Sequence, residues 1–385
     1  MFNRKIQWTG AFGMASTWFG LHCGGGFATG AQGVLYFTQF GAWELITTFI
    51  AALLMAIYAY TIWDYARVAK THSYRTTYNA LFRPYHRIFA TLHEVLYLTI
   101  LVMAMGGVFS GAANVTVAIF PQISYRFGAI TVALIVLLLV FFGDHVLFRF
   151  SSILSVILIL AVGSVTLIGI ISEPEAIRLT ILHWETEGSF GAALKAAIIY
   201  ASFQATVMIG TVGLVKNLKT AEETKLAGIL GFAVNFLLMV MISTMMLGFF
   251  PGVIGQELPI KTILDGIDLP MLTGIYYFAL YLACLTTGMT LVGSLVKRFE
   301  PIGATFIPNP LLRARILAIG IVVTCFFISL VGLLAIIGKG YALIGYIAIP
   351  CVYIPTMIIA PIKKYRLLAC EQVDCPGKDL LSTSK

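Results

Sequence analysis

Long apolar runs alternate with short polar stretches along almost the whole chain. A membrane-spanning helix needs about 20 largely apolar residues. By that measure the chain holds ten candidate spans, at 9–39, 42–63, 93–120, 127–147, 151–172, 189–215, 225–250, 270–296, 314–337 and 341–362. The first and sixth are long enough to tilt or to break. Two connections, "SEPEAIRLTILHWETEGS" and "PGVIGQELPIKTILDGIDLP", are amphipathic and predict short helices at the membrane surface. The expected fold class is an all-α polytopic membrane protein. It has about ten transmembrane helices in a single domain over 1–385, with a short tail at 363–385. After the brief basic start "MFNRKIQW" no short apolar stretch with a small-residue cleavage site follows, so the first span is read as retained.

Charge sets the orientation. Only 11% of the 385 residues are charged and 59% are hydrophobic, against roughly 25% charged in soluble domains. With the N-terminus placed inside, 20 of the 25 Lys and Arg residues fall on inner segments. The outer side keeps Arg126, Arg178, Lys195, Lys261 and Lys339. Basic residues concentrate on the cytoplasmic side, so both ends are expected there. The net charge of +8 is then an insertion signal for the lipid bilayer, not a nucleic-acid surface. Ten spans divide into two fives, which permits an inverted repeat with halves at about 9–172 and 189–362.

Span one contains "FGLHCGGGFATGAQG", with six glycines from Gly20 to Gly33. Gly20 with Gly24, and Gly26 with Gly30, have the small-xxx-small spacing of close helix packing. Glycine, however, costs about 1 kcal/mol relative to alanine inside a helix, and His22, Thr29 and Gln32 crowd the same place. The span is thus expected to break. Span six, "AIIYASFQATVMIGTVGLVKN", opens the second half and should break at the corresponding point. Paired interruptions of this kind point to a midplane binding site in transporters, because unwound backbone is tolerated in a membrane only where it lines a cavity or is buried in protein.

"GGGFATG" resembles the Gly-x-Gly segment in helix one of the amino acid–polyamine–organocation (APC) superfamily, whose members have the LeuT-type 5+5 inverted repeat with helices one and six broken. More narrowly, "GGGFATGAQGVLYFTQFG" is similar to the start of YkvI-like bacterial membrane proteins, although Gln32 stands where an acid is expected. The resemblance implies a multi-pass protein of the bacterial inner membrane that moves a small solute. It also implies a sodium site, in which carbonyls near Gly20 and Cys23 meet an Ala-x-x-Thr-Thr face in span eight, namely Ala283, Thr286 and Thr287. The bland alternative is that these threonines bond carbonyls of their own helix.

Spans one, three, six and eight would enclose the solute. Candidate binding residues are Cys23, Gly24, Gly25, Gly26 and Phe27, then Gly106 and Phe109, then Phe203, Gln204, Thr206 and Met208. Such a pocket is small, partly aromatic and without an evident buried charge, which suits a zwitterion such as an amino acid or related amine. Its carboxylate would meet the amides of Gly24 to Gly26. Proton coupling is the rival to sodium. Its candidates are His22 beside the break, His93 and Glu94 entering span three, and Asp144 and His145 leaving span four; Glu94 and Asp144 also suit a gate. A receptor-like use of the same pocket is a third reading. No motif of an intramembrane enzyme is present, and Cys370 with Cys375 lacks the further ligands of a metal site, so neither an enzyme nor a cofactor beyond a coupling Na+ is expected.

Overall fold

The computed structural model describes residues 8–22, 25–142 and 146–372. Helix follows helix, and among the described residues the one β feature is an isolated bridge between Gly41 and Thr186. Span one is built from α1 (Trp8–His22), α2 (Gly25–Ala28) and α3 (Ala31–Tyr36). Spans two and three are α4 (Glu44–Val68) and α6 (His86–Ile119), separated by α5 (Tyr74–Leu81). At eight residues α5 escapes any count of bilayer-length runs. It buries Thr77, Tyr78 and Leu81, and the Ser73 hydroxyl caps it by accepting the Thr76 N–H at 3.2 Å.

Next come α7 (Tyr125–Phe142), α8 (Val146–Ser172), α9 (Pro174–Leu182), α10 (Phe190–Met208), α11 (Ala221–Leu247), α12 (Pro259–Ile267), α13 (Pro270–Phe299) and α14 (Pro310–Ser329). The two amphipathic connections are α9 and α12. Span ten joins α15 (Leu333–Ala335), α16 (Ala342–Ala348) and α17 (Ile354–Gln372) through π-helical stretches at Ile336–Tyr341 and Ile349–Tyr353. Among the described residues seven helices are long and apolar enough to cross a bilayer, and a pair bent by 72° at Glu173 would make an eighth. α7 is apolar but short, and span one is cut into pieces; with these two, each of the ten runs has a helical counterpart.

Span nine is displaced toward the N-terminus at both ends. Its helix starts at Pro310, four residues before the apolar run, because the Asn309 side chain accepts the N–H groups of Leu311 and Leu312 at 3.0 and 3.2 Å. It stops at Ser329, before Gly332 at φ 95°.

The two interruptions take different forms. In span one the chain turns through Gly30 at φ 85°, a left-handed conformation that glycine adopts freely and other residues do not. The carbonyl of Ala28, freed by the turn, accepts the Tyr276 hydroxyl from α13 at 2.9 Å. Span six opens no gap. Its winding tightens after Met208 into a 3-10 helix over Ile209–Asn217, pinned where Thr211 Oγ1 donates to the Met208 carbonyl and accepts Trp63 Nε1–H, both at 2.7 Å.

Contacts between chain-distant ends define two faces. On the proximal face α1 begins, with Gly10 against the Asn217 carbonyl. Asp64 pairs with Lys364 at 2.7 Å there, and Glu94 pairs with Arg298. On the distal face Gly30 packs on Met246 and Ile260, and Glu257 accepts the N–H groups of Leu333 and Leu334 at 2.8 and 3.3 Å.

Candidate functional site

A cavity of about 390 Å³ lies at the break in span one. α1, the opened segment, α6, α10 and α13 form its walls, with Tyr341 of span ten closing one side. No Asp, Glu, Lys or Arg is among the described lining residues. The lining of α6 runs from Tyr97 to Val108 and that of α13 from Thr286 to Ser294, so the space extends from the break toward the proximal face. Gly20, Thr290 and Ser294 are exposed there. Distally, a layer of buried rings shuts it off. Tyr200 lies 5.3 Å from Tyr36, 5.0 Å from Phe37 and 5.0 Å from Phe203, and Phe203 lies 5.2 Å from Tyr341 (centroid distances).

Of the residues singled out from sequence, Gly20, His22, Gly26, Phe203, Gln204, Thr286 and Thr287 meet on this lining. Others are buried elsewhere. Phe27 stacks obliquely on His22 at 4.8 Å. Gly106 gives its space to Ile328 of α14 instead of to a ligand, and Phe109 packs against Gly288 instead of over the cavity. Thr206 donates to the Ser202 carbonyl at 3.2 Å. Met208 and Ala283 are buried without lining the space, and Gly25 begins α2. Cys23, Gly24, Asp144, His145 and Cys375 lie outside the described residues. Glu94 sits at the proximal end of α6, paired with Arg298 and accepting the Tyr74 hydroxyl at 3.4 Å. His93 beside it is buried against Tyr78, ring centroids 3.9 Å apart.

His22 joins three spans. Asn235 Nδ2 donates to the Gly231 carbonyl at 2.7 Å, which turns Asn235 Oδ1 toward His22. His22 Nδ1 therefore carries its proton and donates to that oxygen at 2.7 Å. Its Nε2 is left to accept from the Tyr200 hydroxyl at 2.5 Å, and Gln204 Nε2 donates to the same hydroxyl oxygen at 3.4 Å. With the imidazole neutral, the His22 Nδ1–H and the Tyr200 hydroxyl hydrogen each have an acceptor in this chain. This assignment follows from the hydrogen-bond pattern.

On α13 the Thr286 hydroxyl donates to the carbonyls of Leu282 and Ala283 at 3.0 and 3.1 Å, the intrahelical bonding that membrane threonines favour. Its lone pairs stay free to meet a cation. Thr287, half-buried on the same wall, has no hydrogen-bond partner among the described residues. Among the described residues no group of three or more His, Cys, Asp or Glu side chains could hold a metal ion, so any cation here would be met by hydroxyl and carbonyl oxygens, the donors that suit a hard ion.

Sequence reading passed over Tyr97, Thr290, Ser294 and Tyr341. Two of these were within reach of it: Thr286, Thr290 and Ser294 recur every four residues and therefore share one helix face. Gln32 was visible as a polar residue beside the glycine run and as a departure from a motif, and it proves to line the cavity.

No family model and no curated protein matches this chain. Solved structures do. The inward-facing conformation of Mhp1 aligns over 97% of this chain and 80% of its own, at 15% identity and a TM-score of 0.53. The manganese transporter of Eremococcus coleocola, in complex with an aromatic bis-isothiourea compound, aligns over 98% of this chain and 90% of its own, at 14% identity and a TM-score of 0.52. At such identities the likeness is one of fold. The fold is of the LeuT type, in a multi-pass membrane protein.

Proposed function

We propose that the protein is a secondary transporter that carries a small zwitterion, an amino acid or related amine, by alternating access with sodium as the coupling ion. The observation that carries this reading is the cavity itself: it sits at the interruption of span one, has no charged side chain on its described walls, reaches toward one face and is sealed from the other by packed rings. Helix interruptions at the core of such folds are where substrate and ion sites lie. The solute's carboxylate would face the backbone of the opened segment at Gly25 and Gly26. Its ammonium would face side-chain oxygens of the cavity wall.

Sodium would bridge α1, through the carbonyl of Gly20, to the oxygens of Ala283, Thr286 and Thr287 on α13. It drives a cycle only by binding one conformation better than the other. Bridging two helices that separate during the cycle supplies that difference. If the basic proximal face is cytoplasmic, the structure corresponds to an inward-facing state. Proton coupling has less support, since the hydrogens around His22 end on a backbone carbonyl and Glu94 is held by Arg298.

Purified protein in liposomes tests the reading. Uptake of labelled neutral amino acids should rise with a sodium gradient, and Thr286→Ala with Thr287→Ala should remove that dependence while leaving the protein folded. Unchanged sodium dependence in the double variant would refute the ion site.

A further inference from the structure

Gln32, a polar side chain on the cavity wall, has no hydrogen-bond partner among the described residues. Gln32 is 6% exposed, and its Oε1 is shut off from solvent without a hydrogen-bond partner. Its Nε2 lies over Gly26, 2.6 Å from where a Cβ would stand. The bare backbone at that position is what admits the amide. Nor does Gln32 hold any other hydrogen bond among the described residues. Across the cavity, Gln204 is nearly as buried and makes only the long bond to Tyr200. A buried amide left unpaired is costly, and native structures pair most such groups. The carboxamide lines the cavity, and a half-turn exchanges its oxygen and nitrogen, so a ligand there is the partner within reach.

We propose that Gln32 determines which solutes the cavity accepts. Its amide oxygen takes the N–H of the solute's ammonium, and its lack of charge makes the site choose a zwitterion over the corresponding amine. This inference rests on the transporter reading above and deepens it. The physical reason lies in the wall. An amine without a carboxylate brings a whole positive charge into a space whose described walls hold no acid, and an uncompensated buried charge costs far more than a dipole. A zwitterion carries its own counter-charge and asks the wall only for dipoles, which carboxamides, hydroxyls and opened backbone supply. Gln32 also stands two residues after Gly30, so a solute gripped there touches the turn of span one directly.

Matched ligand pairs test the proposal on the purified full-length protein in sodium buffer. L-valine is set beside isobutylamine, L-serine beside ethanolamine and L-phenylalanine beside phenethylamine, each pair differing only by the carboxylate. Binding is read as the ligand-dependent rise in unfolding temperature and as Kd. The wild type should bind the amino acid of at least one pair and not its amine. Gln32→Glu should gain at least tenfold for the amine and lose at least tenfold for the amino acid. Gln32→Asn, which keeps the amide but shortens its reach, should weaken binding severalfold without changing the order, and it serves if the glutamate variant fails to fold. A folded Gln32→Glu with the wild-type order, or Gln32→Asn with undiminished affinity, overturns the role of Gln32 alone. A wild type that binds the amines better, or binds no member of any pair, overturns the zwitterion reading and this inference with it.

Discussion

Asn235 fixes the direction of the hydrogen bonds around His22, because its amide nitrogen is already committed to the Gly231 carbonyl. Asn235→Leu would strand the His22 Nδ1–H in a buried site, and an orphaned buried donor costs about 1–3 kcal/mol. The expected result is a lower unfolding temperature, with His22→Phe plus Asn235→Leu less harmful than the two single losses added together. Gly231 itself lies under Trp18, with no room for a Cβ. Gly231→Ala should therefore cost about 1–3 kcal/mol by overpacking, read in the same thermal assay. His22 was conspicuous in the sequence as a polar residue beside a glycine run. Its partners were not, since Tyr200 and Asn235 lie 178 and 213 residues away and nothing in a single chain pairs them. Gln32 drew notice as an odd residue in a motif. That it faces a cavity unpaired depends on Gly26 folding back beneath it, which no spacing rule reports.

At the scale of helices, the glycines predicted a break in span one and the break is there, because Gly30 alone turns left-handed between Ala28 and Ala31. Gly30→Ala would force an L-residue into that region, at about 1–2 kcal/mol, and would drive its methyl to within 2.5 Å of Met246. Loss of both stability and uptake is expected, measured by thermal unfolding and liposome transport. Span six was harder to anticipate. Ser202, Thr206 and Thr211 suggested an opening, but their hydroxyls bond back to carbonyls of their own helix, so the chain tightens instead of separating. The last span holds two π-helical stretches that its apolar pattern does not betray. Where α6 meets α13, Glu94 and Arg298 tie the proximal ends together. Breaking that tie with Glu94→Gln should speed labelling of an introduced Ser294→Cys by a membrane-impermeant thiol reagent severalfold, above the background without that cysteine. The exchange Glu94→Arg with Arg298→Glu should restore the slow rate.

For the molecule as a whole, hydropathy was enough to find ten helical runs, since it is set by the lipid and read residue by residue. The packing order of the helices was not readable that way. α4 lies against α10, α11 and α17, contacts that join the second run to the sixth, seventh and tenth, and lipid-facing and protein-facing positions are both apolar. The absence of Asp, Glu, Lys and Arg from the described cavity lining has an electrical meaning under the proposed cycle. An empty carrier moves no side-chain charge from that lining through the field as it resets, whereas the loaded one moves only the charge of sodium, worth about 2.3 kcal/mol per 100 mV. Reconstituted protein should thus generate current during net uptake and be hastened by an inside-negative voltage, and the step that voltage leaves untouched should be the return of the unfilled site.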